Sequence, residues 1–272
     1  MIHTKHGIGL LQMVTTWAVL GDHGRYPHKD LPQREATKMA WDSVVARFSD
    51  YLFRIETQDG AGTGFLCAYN IDKTFCGIAT AAHVVDEAEK WHQSIRLRPN
   101  DGGDIVFLEE EQRIIFIDRS IDSAFIMVPT EELNLPDELI PLLPTDQTLP
   151  IGTEVGWLGY PAIENNQACF FNGPISARRD HRSAYLIDGV AINGVSGGPV
   201  FYSTPSHGVQ IVGSISAYIA NRSTGDALPG LLVAQDVSHF NSVIETIKSV
   251  DDAKQKKQEE TQKQNSEDEK EG

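Results

Sequence analysis

The stretch Asn193-Gly194-Val195-Ser196-Gly197-Gly198-Pro199 holds the residue types and spacing best suited to covalent chemistry. A serine hydroxyl is a poor nucleophile until a base takes its proton and donors hold the oxyanion that forms on the attacked carbonyl. Glycines beside Ser196 allow a tight turn and expose amide N–H groups. Those of Gly194 and Ser196 are the natural pair of oxyanion donors. The same seven residues also read as a Gly-rich β-turn with an incidental serine.

G-x-S-x-G also fits the nucleophile elbow of α/β-hydrolases, which needs a strand, a sharp turn and then a helix. Here Gly197, Gly198 and Pro199 lead into VFYS, and such residues do not start a helix. No strand–helix alternation follows Ser196, so an esterase of that architecture is disfavoured. The base is therefore sought upstream. In Thr80-Ala81-Ala82-His83-Val84-Val85, His83 follows the apolar run CGIA. At the end of a strand, beside small residues, it has room to reach across a cleft. Its neutral ring accepts a proton near neutral pH. A lone histidine reads equally as structural, and His3, His6, His23 and His28 lie near the N-terminus without supporting context. A third group must orient the imidazole and stabilise its cation. Asp122 stands directly before the buried-looking run SAFIMV and is the best placed. Asp118 competes without that adjacency, and the non-catalytic reading of either is a turn aspartate.

These segments need a scaffold that brings them together. The chain has 272 residues, 40% hydrophobic and 22% charged, enough for a real core. A helical period over Ala36, Met39, Ala40, Val44, Val45 and Phe48 predicts a short helix. From Tyr51 come short runs rich in β-branched and aromatic residues: YLFRIET, GTGFLCAY, TFCGIATAA, SIRLRP, DIVFLE, QRIIFID and SAFIMVP. Residues 129–150, with five prolines, read as a surface linker. A second set follows: EVGWLGYP, QACFFNGPIS, AYLIDG, GPVFYS, GVQIVGSISAYI and GLLVAQD. Asp236 or Ser238 can cap a last helix with an apolar stripe of Val237, Phe240, Val243, Ile244, Ile247 and Val250. The chain thus divides into an irregular leader (1–33), a helix and first β unit (34–135), and a linker, second β unit and closing helix (136–250). Residues 251–272 carry charge and glutamine without an apolar stripe and are expected to be a disordered tail.

A net charge of −15 argues against nucleic-acid and anionic-membrane partners. No run of 18 apolar residues suggests a membrane helix. The segment after Lys5 is too interrupted for a clear export signal, so a cytoplasmic location is expected. Cys67, Cys76 and Cys169 make an odd and sparse count for a disulfide-stapled fold; Cys67 and Cys76 could face each other across a hairpin but read better as buried free thiols. Neither H-E-x-x-H nor paired C-x-x-C occurs, and G-A-G-T-G at 60–64 lacks the helix and lysine of a phosphate loop. No metal and no cofactor are expected.

TAAH (80–83), DSAFI (122–126) and GVSGGP (194–199), in that order, resemble the active-site motifs of trypsin-like (chymotrypsin-fold) serine peptidases. GTGFL (62–66) is similar to a strand of the HtrA/DegP-like branch. The resemblance spans roughly residues 48–247. It implies an all-β fold of two antiparallel six-stranded barrels with a C-terminal helix. It also implies His83 as general base, Asp122 as its orienter, Ser196 as nucleophile, Gly194 and Ser196 as oxyanion hole, and a polypeptide substrate. Val195 stands where the digestive branch has aspartate, so no activation by N-terminal cleavage is expected. Only a short tail follows the domain, so no PDZ-driven switching is expected. The resemblance places the specificity pocket on the segment Val190, Ala191, Ile192 and Asn193 and on Ser216, Ala217 and Tyr218. No acid lies there at matching depth, which predicts cleavage after small or apolar residues rather than Lys or Arg. Asp188 is expected to be structural. The rival reading is a catalytically silent module that binds peptides.

Overall fold

The computed structural model describes residues 41–164, 167–190, 192–204, 208–220 and 227–271, with side chains except those of 218–220, 227–229 and 265–271. The leader and the Glu35–Ala40 start of the expected first helix lie outside the described residues. All the strand runs form strands. The first unit holds β1 (Leu52–Glu56), β2 (Ala61–Tyr69), β3 (Phe75–Thr80), β4 (Ile95–Pro99), β5 (Val106–Leu108), β6 (Ile114–Asp118) and β7 (Ser123–Pro129). The second holds β8 (Glu154–Gly159), β9 (Cys169–Arg179), β10 (Ala184–Asp188), β11 (Pro199–Thr204), β12 (Gly208–Ala220) and β13 (Ala227–Asp236).

The second unit closes into a six-stranded antiparallel barrel in the order β10-β13-β12-β11-β8-β9. The first is a curled seven-stranded sheet, β5-β4-β1-β2-β3-β7-β6, whose ladder stays open between β5 and β6. It therefore has one strand more than the six-stranded barrel the resemblance implies, and only one of the two ladders closes. The buried Arg113 stands at that gap and donates to the carbonyls of Leu108 (2.7 Å) and Gln93 (2.8 Å).

Helices strap the two units to each other. α1 (Trp41–Phe48) precedes the sheet but stacks Phe48 on Phe201 of the barrel, ring centroids 4.2 Å apart, with Trp41 also against Phe201 and Phe170. α3 (Ser238–Glu271) follows the barrel but lays Phe240 edge-on to Phe65 of the sheet at 6.0 Å. Its expected stripe is buried at Val237, Phe240 and Val243, half-buried at Ile244 and Ile247, and exposed by Val250. Asp236 caps it by accepting from Ser238 N–H at 3.0 Å.

Two expectations are corrected. Residues 251–271 are helical, continuing α3. Lys, Gln and Glu are good helix formers, and a turn already nucleated by packing extends at little cost. Beyond Asp251 the described side chains are exposed, so this part contributes nothing to the core. The proline-rich linker does not merely cross the surface: it buries Ile140, Leu143 and Leu149, and Leu143 N–H donates to Ile211 C=O at 2.8 Å. Cys67 and Cys76 are buried and unbonded to each other, and Cys169 is half-buried and free. Burial pushes the Cys76 thiol up to about 12 and raises Cys67 further, so neither is a reactive thiolate. Among the described residues no helix is long and apolar enough to cross a membrane.

Candidate active site

His83 does not end a strand, as its apolar upstream run suggests. β3 stops at Thr80, Ala81 is extended, and a new helix α2 (Ala82–Lys90) begins at once. The small side chains of Ala81 and Ala82 are both buried, so the chain can turn from strand to helix within the core. Ala82, Val85 and Ala88 form the buried face of α2, and His83 lies on the facing first turn with its side chain half-exposed.

Asp122 sits between β6 and β7 at φ +54°, a left-handed conformation that aspartate tolerates better than most residues. Its Oδ1 accepts from the backbone N–H of His83 at 3.0 Å, and both carboxylate oxygens face His83 Nδ1 at 2.9–3.0 Å. An ionised carboxylate only accepts, so Nδ1 carries the proton and Nε2 is left as the ring's acceptor. Oδ2 also accepts from Ser216 Oγ at 2.5 Å. Burial works to raise the Asp122 pKa. The hydrogen bonds from His83 and Ser216 and the His83 charge outweigh it and hold the carboxyl below its ordinary value. Asp118 proves to be the turn aspartate: its Oδ1 accepts from Ser120 N–H at 2.9 Å and Ser120 Oγ at 2.6 Å. Arg119 reaches Asp86 of α2 at 2.5 Å, fastening this turn to the helix that carries His83.

The Ser196 loop is shaped by its backbone. Gly194 has φ +93°, and a Cβ there would stand 2.2 Å from Tyr160 C=O. Gly197 has φ +85° with a Cβ position 2.1 Å from Thr63 C=O, and one on Gly198 would meet Leu158 C=O at 2.0 Å. Only glycine fits these close approaches. The carbonyls from Ile192 to Ser196 are engaged: Ile192 by Val195 N–H (3.0 Å), Asn193 by Ala162 N–H (2.7 Å), Val195 by Gly198 N–H (2.9 Å) and Ser196 by Thr63 N–H (2.8 Å). Gly194 C=O accepts from Thr63 Oγ1 at 2.7 Å. In a trans peptide the N–H points opposite the C=O. Pinning the Asn193 and Val195 carbonyls therefore aims the Gly194 and Ser196 N–H groups the other way. Neither N–H has an acceptor among the described residues.

His83, Asn193 and Ser196 line both halves of one cleft. One half is completed by Ile192, Ile215, Ser216 and Ala217, the other by Arg54, Asp59, Glu87, Tyr160 and Gly194 among others. No hydrogen bond joins Ser196 Oγ to His83 among the described residues. The expected pocket residues Ile192, Asn193, Ser216 and Ala217 are brought together. Val190 is not: 53% exposed, it lies past the end of β10 and outside that wall. Ala191 lies outside the described residues, as does the side chain of Tyr218. Asp188 ends β10 opposite Leu231. Sequence reasoning missed the bond from Ser216 to Asp122 and the role of Thr63. Both are buried hydroxyls in apolar strands, which must find partners, and that was the available signal. Among the described residues no group of three or more His, Cys, Asp or Glu is placed to hold a metal ion.

The model of the family described as "Trypsin-like peptidase domain" matches residues 62–206, more than half the chain. Among solved structures, the chain is similar to a serine endoprotease from Yersinia pestis (TM-score 0.56, 20% identity). That match covers 77% of this chain and 66% of the other, so the chain spans just under two thirds of that protein's length. It is also similar to an inactive Ser-to-Ala mutant of Rv3671c from M. tuberculosis (TM-score 0.51, 20% identity, 75% of this chain and 89% of the other). At that identity the likeness establishes the chymotrypsin-like fold alone. No curated protein matches the chain. On the family match, with the two β units and the cleft between them, the chain belongs to the trypsin-like peptidase domain family.

Proposed function

We propose that the chain is a serine endopeptidase that cleaves polypeptides through an acyl-enzyme. The observation that carries this reading is the Ser216–Asp122–His83 chain of hydrogen bonds, ending at a cleft that His83 shares with Ser196. Ser196 Oγ attacks the scissile carbonyl carbon as His83 Nε2 takes the hydroxyl proton. The carbonyl π electrons move to its oxygen, and the Gly194 and Ser196 N–H groups hold that oxyanion, worth about 3 kcal/mol per donor. Collapse breaks the C–N bond, and His83 returns the proton to the leaving amine. Water then hydrolyses the ester by the same base, regenerating Ser196. Asp122 fixes the ring and stabilises its cation. The Ser196–His83 contact is closed by bound substrate, as catalytic hydrogen bonds often tighten only in the complex.

Ile192, Ile215 and Ala217 line the half-cleft beside Ser196 with no carboxylate among them. This supports cleavage after small or apolar residues. Cleavage profiling on a peptide library tests the reading. Wild type should cut internal bonds after Ala, Val or Leu, and Ser196→Ala should cut none. A preference for Lys or Arg overturns the pocket assignment, and activity surviving in Ser196→Ala overturns the mechanism.

A further inference from the structure

Thr63 is fully buried in β2, on the sheet side of the cleft, yet it makes four hydrogen bonds to three other segments. Its N–H donates to Ser196 C=O at 2.8 Å, and its C=O accepts from Thr80 Oγ1 at 2.7 Å, three residues before His83. Its hydroxyl donates to Gly194 C=O at 2.7 Å and accepts from Tyr160 N–H at 3.0 Å. Every polar atom of this residue is engaged, and two of its bonds fall on the Ser196 loop.

The bond to Gly194 C=O falls where it controls most. The two amides aimed away from the loop belong to the peptides Asn193–Gly194 and Val195–Ser196. The peptide between them is Gly194–Val195, and its carbonyl is the one Thr63 Oγ1 holds. Gly194 has no side chain to limit its rotation. Were that carbonyl free, the peptide would keep only the Val195 N–H bond to Ile192 C=O (3.0 Å), and turning about Gly194 would be resisted by that single contact. The remaining pins on the loop come from backbone groups, so the Thr63 hydroxyl is the one side-chain bond on these carbonyls among the described residues.

We propose that the Thr63 hydroxyl is a positioning residue that locks the Gly194–Val195 peptide and so keeps the Gly194 and Ser196 N–H groups convergent on a developing oxyanion. The inference rests on the endopeptidase reading above. The bond acts on the transition state, because the oxyanion exists only there, so its loss lowers kcat and leaves KM in place.

The test uses the full chain and the best peptide from library profiling. Thr63→Val keeps the shape and the backbone bond to Ser196 but removes the hydroxyl. Its kcat should fall about 10- to 100-fold with KM within about threefold, less than the loss of a whole oxyanion donor. Affinity for a peptide boronate, whose tetrahedral adduct fills the same donors, should fall in parallel. The pH midpoint of kcat/KM should not move, since His83 is untouched. Thr63→Ser should recover kcat to within about threefold of wild type. A merely structural role would lower the melting temperature without this split. If Thr63→Val does not fold, Thr63→Cys carries the comparison, keeping a weaker donor in similar volume; a reduced kcat supports the proposal and a wild-type kcat overturns it. Wild-type kcat in Thr63→Val, or no recovery in Thr63→Ser, overturns the inference alone. A wild-type chain that cleaves no peptide overturns the endopeptidase reading and this inference with it.

Discussion

His83 and Asp122, on the sheet whose ladder stays open, are fixed by side-chain bonds, whereas the Ser196 loop, on the barrel that closes, is fixed by backbone bonds and the Thr63 hydroxyl. On the sheet side, the Asp122 carboxylate accepts from His83 N–H and His83 Nδ1, and across the cleft from Ser216 Oγ of β12. On the barrel side, glycines in close contact and pinned carbonyls leave two amides over. Side-chain bonds set a tautomer and a charge, and their loss costs chemistry more than fold. Backbone pins set the direction of dipoles, and disturbing them strains the chain as well. Substitutions on the two sides should therefore fail in different ways.

Asp122→Asn is expected to have the largest effect of these substitutions. An amide presents N–H to His83 Nδ1, favours the wrong tautomer, and should lower kcat by about 10⁴ while the melting temperature changes little. Steady-state kinetics with a thermal melt check this, and a loss of fold rather than of kcat would erase the contrast. Gly194→Ala comes next. Its Cβ would stand 2.2 Å from Tyr160 C=O in a left-handed backbone, so the loop must move. We expect kcat/KM to fall on the order of 10²- to 10³-fold, as for a lost oxyanion donor. Unlike Asp122→Asn, it should also lower stability, by about 2–4 kcal/mol in a denaturant melt.

Ser216→Ala removes the bond that the barrel strand β12 gives Asp122, with an expected loss of about tenfold or less in kcat. Its clearer mark is in acid. The folded Asp122 has a depressed pKa, so its contribution to stability is present above the unfolded value of about 3.9. That contribution is lost as pH falls through the folded value. Removing the Ser216 donor, one of the bonds that hold the carboxyl down, raises the folded pKa. Acid unfolding of Ser216→Ala should then begin at higher pH than in wild type, and coincident acid transitions would contradict the assignment. Truncation after Asp252 should have the least effect, because the described residues removed are exposed. The melting temperature should stay within about 2 °C, and a larger drop would show the far end of α3 to be a packed element.

The strands were legible because half-buried and buried β segments announce themselves in Val, Ile and Phe runs bounded by turn residues. The three motifs around His83, Asp122 and Ser196 were legible because Gly, small residues and an aspartate before a strand each have a chemical reason to stand there. What could not be read was set by tertiary contact. AHVVDEAEK is too short for its period to outweigh the strand before it, so α2 was invisible. The choice of Asp122 over Asp118 becomes physical only when Ser120 is seen to satisfy Asp118. Ile140, Leu143 and Leu149 look like scattered linker residues until the barrel surface beneath them is known. Thr63 sits between glycines in a strand, and nothing local shows that its hydroxyl reaches a loop 131 residues away.

The whole mechanism turns on Ser196 being a hydroxyl made nucleophilic by its surroundings. A fluorophosphonate probe, with the site of attachment read by peptide mass spectrometry, tests it most directly. One label per chain is expected, on Ser196, absent from Ser196→Ala and strongly slowed in Asp122→Asn. A native chain that takes no label, or takes it equally after Ser196→Ala, would contradict it.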